Sequence, residues 1–242
     1  VETFFDYKHP YPIFFDECNT SEKNKLLKKT IDENHSYKKY VSSPTRRIHW
    51  LIYESKSGNH IGAIGLSSAT IAISCRDNFI GWTKDQRLKN LGMLANNSRF
   101  CLIRKNITVK NAGSMVLKCL SLNGSSLWKE RYNEPLMMIE TFVQEDREGN
   151  VYNNHDSRNG AVYKSSGYIR IGMSQGNSIR KAPTLLWAKE DTKRGELARS
   201  NPEEAWKKYG NYGGKEYIVT KSLPKIMFVK PLVNNWKQIL CS

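Results

Sequence analysis

His35 and Tyr37 stand one residue apart, an imidazole next to a phenol. Such a pair can act as base and positioner beside a nucleophile, and it reads equally as a structural pair in a loop. A second group follows: Arg76-Asp77, Trp82 after Gly81, then Asn96-Asn97 and Arg99, all inside apolar surroundings. Arginine and asparagine are the side chains that grip a phosphate or a purine edge. The same residues would also make an Arg–Asp structural bridge with asparagine turn caps. Tyr163 follows a glycine and precedes Ser165-Ser166-Gly167, so its phenol could serve as a general acid, a surface for base stacking, or core filler.

The run Val109-Lys110-Asn111-Ala112-Gly113-Ser114 begins a helical pattern just after an apolar strand that ends at Ile103. Free N–H groups and small residues at a helix start suit an anion, because the backbone can be approached closely there. An ordinary helix start packed on a strand has the same composition. His49, His60 and His155 read as structural or solvent-facing. The five cysteines are odd in number, widely spaced and without a C-x-x-C pair, which argues against a disulfide framework and against a structural zinc site. Cys101 and Cys119 read as reduced core thiols.

The positive charge is the strongest bulk signal. The chain has 242 residues, 38 Lys+Arg against 23 Asp+Glu, and a formal net charge of +15. Its basic residues gather at 23–39, at Arg46-Arg47, and in a C-terminal group with Arg170, Arg180, Lys181, Lys193 and Arg194. Trp187, Trp206, Tyr209 and Tyr212 are interleaved with the last group. Basic residues mixed with aromatics suit backbone contact and base stacking, so nucleic acid is the expected partner. No apolar run is long enough to span a membrane, and the first residues lack the pattern of a signal peptide. A cytoplasmic protein is expected.

These residues need elements to position them. The first 18 residues read as an irregular arm, followed by a helix over 21–34 capped by Asn19-Thr20, with Leu26, Leu27 and Ile31 on one side. Strands are predicted over 46–54 and 60–66, joined by a turn at Ser57-Gly58-Asn59, and 68–74 is a third apolar run. Residues 75–82 read as less regular. A helix capped by Thr83 or Asp85 precedes a buried strand over 99–103, and a helix over 109–122 precedes a strand over 135–143. A polar loop (145–160), a short helix at 161–167 and a strand at 168–174 follow. Residues 177–242 form a basic extension expected to pack on a core of 46–176, after an N-terminal segment of 1–45. The order gives a mixed α/β (α+β) fold with a mixed central sheet flanked by helices. An acetyltransferase-like fold fits, with the strands at 99–103 and 135–143 splaying to hold an acyl donor.

Several short motifs occur together in one order. They are His35-Ser36-Tyr37, Arg46-Arg47-Ile48, Gly62-Ala63-Ile64-Gly65, Arg76-Asp77 with Ile80-Gly81-Trp82, Asn96-Asn97 with Arg99-Phe100, Glu140-Thr141-Phe142-Val143, and Gly160 with Tyr163, Gly167, Gly172 and Gly176. The series resembles the domain family of DruA, from the Druantia anti-phage system, and is similar to the Mom DNA-modification proteins of phages, over roughly residues 30–182. The resemblance implies an acetyltransferase-like (GNAT) enzyme that modifies the exocyclic amine of adenine in double-stranded DNA and so evades restriction. It implies catalytic roles for His35, Tyr37 and Tyr163, with Glu140 as a candidate carboxylate; Gln144 stands where relatives often have Asp, and Glu145 or Asp146 would replace that residue. A flipped base would be received by Trp82, Arg76 and Asn97, with Arg46, Arg47, Asp77, Asn96, Arg99, Arg180 and Lys181 as further DNA contacts. Acetyl-CoA or another acyl-type donor would lie along Ile103, Lys110, Asn111, Ala112, Gly113 and Ser114. A His/Tyr/carboxylate set could bind iron, though no ligand spacing demands a metal. A DNA-binding module without chemistry, and an N-acetyltransferase acting on a small molecule or protein, are the alternatives.

Overall fold

A computed structural model describes residues 11–35, 40, 45–144, 160–174, 178–181, 218–221 and 225–242. In chain order the elements are β1 (Ile13–Glu17), α1 (Ser21–Asn34), β2 (Arg47–Glu54), β3 (His60–Ser68), α2 (Ser74–Ile80), α3 (Lys84–Asn90), β4 (Leu94–Leu102), α4 (Ala112–Tyr132), β5 (Met138–Gln144), α5 (Ala161–Ser165), β6 (Ile169–Met173), β7 (Ser178–Lys181), β8 (Ile218–Lys221), β9 (Lys225–Pro231) and α6 (Trp236–Leu240). Two compact units result: residues up to Ser174 with Lys225–Ser242, and Gln175–Pro224.

The first unit is built on a seven-stranded mixed sheet, in the order β1-β2-β3-β4-β5-β9-β6. Only β4 and β5 are parallel; every other neighbouring pair is antiparallel. Period-two alternation sends successive side chains to opposite faces. On one face Trp50, Ile52, Leu66 and Ile139 meet Val116, Leu120 and Trp128 of α4. On the other, Leu51 and Ala63 receive Leu27 and Ile31 of α1, while Met138, Met227 and Val229 pack with Ile80 and Leu240. Each such side chain contributes about 1.5–3 kcal/mol on burial. The expected mixed sheet flanked by helices is therefore present. In the second unit, β7 and β8 pair antiparallel.

Local signals placed several elements closely. Thr20 caps α1 by accepting the Lys23 N–H at 3.3 Å, and Thr83 forms a capping box with Gln86 on α3. Of the three apolar residues expected on one side of α1, Leu27 and Ile31 are buried and Leu26 is 36% exposed. Other expectations need correction. The N-terminal arm contains β1, because Ile13 and Phe15 alternate inward and pair with β2. The apolar run at 68–74 forms the loop after β3, which ends at Ser68, and residues 75–82, expected to be less regular, hold most of α2. Gly81, at φ 89°, ends α2 in the left-handed conformation that glycine adopts without strain. The helix expected at 109–122, with 127–133 as its extension after Gly124, runs from Ala112 to Tyr132 without a break at the glycine. Residues 225–231 of the expected extension enter the sheet as β9, between β5 and β6.

All five cysteines are free. Burial pushes the thiols of Cys18 and Cys119 up to about 12 and that of Cys101 to about 11, so these three stay protonated and unreactive. No helix among the described residues is long and apolar enough to cross a membrane.

Candidate functional site where two parallel strands part

Strands β4 and β5 pair only from Leu94↔Met138 to Asn96↔Glu140, although β4 continues to Leu102 and β5 to Gln144. Past the last rung a side chain takes over from the backbone ladder. The Thr141 hydroxyl donates to the Asn97 carbonyl at 3.3 Å and lies 3.4 Å from the Tyr163 hydroxyl. Its single proton can serve only one of them at a time. Residue Ser98 is an extra residue in β4, since Gly65 pairs with Arg99 and Leu66 with Asn97. A bulge of this kind bends a strand and re-aims its side chains. Tyr163 is 9% exposed and comes from α5. Its ring stacks on Phe228 at 5.8 Å and meets Phe100 and Tyr168 edge-on, which fixes the phenol at the parting point. Asn97, with its amide oriented by its partners, donates to the carbonyls of Arg99 at 2.8 Å and Gly65 at 3.2 Å.

The seat expected for an acyl-CoA does not fit that group. A Cβ on Gly113 would lie 2.9 Å from Val162 Cγ2, so α5 already occupies the space that glycine leaves open. The Ser114 and Ser165 hydroxyls are 2.7 Å apart, closing the same contact. Ile103 is buried and donates its N–H to the Ile61 carbonyl. Ala112 is buried, while Lys110 and Asn111 are exposed. The loop before α4 also holds a carboxylate of its own. Glu54 accepts the Thr108 N–H at 2.6 Å, the Thr108 hydroxyl at 2.7 Å and the Val109 N–H at 3.2 Å. An anion approaching here would meet that negative charge.

The Arg76 group is a buried ion network. Arg76 is wholly inaccessible, and its N–H groups reach Asp77 Oδ1, Glu140 Oε2 and the carbonyls of Thr70 and Ile71. Asp77 also receives Arg87 at 2.9 Å. Trp82 lies against the Arg76 guanidinium at 5.5 Å and donates its indole N–H to the Leu240 carbonyl at 2.5 Å. Arg76, Asp77 and Trp82 thus hold α2 to the sheet and to α6, and the expected base contacts for Arg76 would find its donors taken. Glu140 is equally buried, and its other oxygen accepts the Thr70 N–H at 2.9 Å. Burial pushes its carboxyl up, against the opposing pull of Arg76. Strand alternation sends Glu140 to the face away from Thr141 and Tyr163, so the candidate carboxylate and the candidate phenol do not meet.

His35 ends α1, its N–H donating to the Ile31 carbonyl. Tyr37 and Glu145 lie outside the described residues. Arg46 pairs with Glu134 and lies over the Tyr132 ring at 5.3 Å. The Arg47 backbone brackets the Tyr132 hydroxyl, at 2.7 Å from its N–H and 2.9 Å from its carbonyl. Arg99 donates to the Ser98 carbonyl. Arg180 and Lys181 belong to β7 of the second unit. Among the described residues, no three His, Cys, Asp or Glu gather closely enough for a metal ion.

Two residues that were named without a site role prove informative. Thr141, quoted within the Glu140–Val143 motif, sits at the parting point. His49 lies over Gly65, where a Cβ would come within 2.2 Å of its ring. Burial, then the charges of Arg47 and Arg99, hold its imidazole down at about 4. The unfolded chain takes up that proton near 6.5, so stability falls as pH drops from about 6.5 to about 4, by up to about 1.4 kcal/mol per pH unit. Urea unfolding of the wild type and His49→Gln across this range should show the steeper loss in the wild type. Parallel curves would mean that the imidazole is not held neutral.

No curated protein matches the chain. The residues that pack the parting strands and the ion network beneath them nevertheless form a coherent set, and they fall within the span of one family. The family model described as Druantia protein DruA matches residues 14–242, and the chain belongs to that family.

Proposed function

We propose that the chain acts on DNA in anti-phage defence by acyl transfer: the exocyclic amine of adenine attacks the carbonyl carbon of an activated acyl donor other than acyl-CoA, the new N–C bond replaces the bond to the leaving group, and Tyr163 relays the released N–H proton to that leaving group. The observation that carries this reading is the parting of β4 and β5 at the Thr141–Tyr163 contact. The sheet order and the single parallel pair support the acetyltransferase-like resemblance. An adenine amine is a weak nucleophile, because its lone pair is delocalised into the ring. It needs orientation, a proton acceptor and a stabilised leaving group. The aromatic contacts that hold Tyr163 and its coupling to Thr141 support a proton-relay role for its phenol. The net charge of +15 supplies attraction for the phosphate backbone.

Mass spectrometry of nucleosides from cells expressing the protein tests this. A mass-shifted deoxyadenosine is expected, reduced about 100-fold or more in Tyr163→Phe, the usual scale for losing a proton-transfer group. An unaltered nucleoside profile would refute the reading.

A second reading has its own support. Val162 over Gly113 fills the seat of the expected acyl donor, as a DNA-binding module without chemistry would allow. That reading expects salt-dependent duplex binding, equal in the wild type and Tyr163→Phe, with nucleosides unaltered.

A further inference from the structure

The loop between β3 and α2 presents an apolar tip. Thr70, Ile71 and Ala72 are exposed, and Ile71 at 67% is the most exposed large apolar side chain among the described residues. Single exposed apolar residues are common and carry no meaning alone. What distinguishes this one is its mounting. Ala69 is buried and Ile73 packs in the core, so both feet of the loop are anchored. Between them, Glu140 accepts the Thr70 N–H at 2.9 Å, and Arg76 donates to the Thr70 carbonyl at 2.6 Å and the Ile71 carbonyl at 3.2 Å. A fully buried ion pair thus grips the backbone on both sides of the tip.

The position of the grip matters as well. Glu140 stands on the last rung, opposite Asn96, before β4 and β5 part. The tip is therefore tied to the last paired residue of β5, on the sheet face away from Thr141 and Tyr163. Its other foot is tied to β2 through the backbone: the Ser68 N–H donates to the Arg46 carbonyl at 2.9 Å, and Arg47 pairs with Ser67.

We propose that Ile71 is an apolar wedge that enters the base stack of duplex DNA and holds open the place of an unstacked base. Proteins that unstack DNA insert Ile, Leu, Met or Phe between base steps, at a cost of a few kcal/mol per step. A wedge resists restacking only if its own position was fixed during folding, which is what the Arg76–Glu140 grip provides. The inference rests on the DNA reading above and does not require chemistry on the base.

The test uses the full chain and a set of short duplexes, each with one 2-aminopurine in a different sequence context. Binding is followed by anisotropy and unstacking by 2-aminopurine fluorescence. The wild type should bind in a salt-dependent way and raise the fluorescence several-fold in at least one context. Ile71→Ala should keep its thermal melt and bind within about threefold of the wild type, a change under 1 kcal/mol, yet lose most of the fluorescence rise. Ile71→Met should restore it. A full rise in Ile71→Ala overturns the wedge and turns Ile71 toward a protein contact. Duplex binding by the wild type without any rise also overturns the wedge and leaves the DNA reading standing. Absence of salt-dependent binding overturns both.

Discussion

Replacing Arg76 with alanine should lower the unfolding free energy by about 3–5 kcal/mol, the usual cost of removing one partner from a buried ion pair. Among the described residues, the substitution leaves the Thr70 N–H as the remaining partner of the buried Glu140 carboxylate, and it frees the carbonyls of Thr70 and Ile71. Asp77 keeps Arg87. Attraction between the two ions is not the main term, because desolvation offsets much of it. The loss comes from the uncompensated carboxylate. Removing both charges should therefore be milder than the single losses summed. Urea unfolding of Arg76→Ala, Glu140→Gln and the double variant, read by tryptophan fluorescence, forms the cycle that measures this coupling. Strict additivity would show that the pair is not energetically linked. A wild-type midpoint in Arg76→Ala would show that the network does not hold α2 to the sheet.

Glu54→Gln should cost about 2–4 kcal/mol at neutral pH, because several charge-assisted bonds converge on the carboxylate. Its oxygens accept from Ser57, Thr108 and Val109, and every one of those groups is a donor. A glutamine would turn an NH2 toward donors and leave some of them unpaired. Burial alone would raise this carboxyl; the hydrogen bonds from Thr108, Ser57 and Val109 outweigh it and bring it down to about 2, from an ordinary 4.5. The sign of the pH effect follows. A carboxyl lowered in the folded state stabilises above about 4.5 and loses that contribution as pH falls toward about 2. Denaturation midpoints of the wild type and Glu54→Gln should be well separated at pH 7 and approach each other near pH 2. A gap that stays constant with pH would assign the loss to shape and not to charge.

Much of the fold was legible because its signals are local. Helix α1 was placed at 21–34 by the Thr20 cap and the spacing of Leu27 and Ile31, and the β2–β3 hairpin by its turn and alternation. Non-local features were not. Nothing near residues 225–231 says that they enter the sheet beside β5, and the two inward residues of β1 are too few for a period to register. The candidate site divides in the same way. Tyr163 was singled out and lies at the parting strands. The Arg76, Asp77 and Trp82 group was recognised as a constellation, but a buried guanidinium and an exposed one have the same spelling. Which of them occurs depends on Glu140, many residues later, and on two carbonyls that no sequence pattern marks. The filled space over Gly113 was likewise hidden, since it depends on Val162 of a later helix.

One junction in the sheet has an evolutionary reading. Where β6 ends, the Ser174 N–H donates to the Lys225 carbonyl at 2.8 Å, and Lys225 returns its own N–H to the Ser174 hydroxyl at 3.2 Å. The chain therefore departs for Gln175–Pro224 and resumes at facing residues of one antiparallel pair. In topological terms the whole second unit is the connection of a β-hairpin. Closing a long connection costs only slightly more than closing a short one, because the entropy grows with the logarithm of length. Segments at such a junction can be lengthened, shortened or exchanged while β9 and β6 keep their register. The fold thus has a junction at which new specificity can be tried without disturbing the helix and the strand that carry Tyr163 and Thr141.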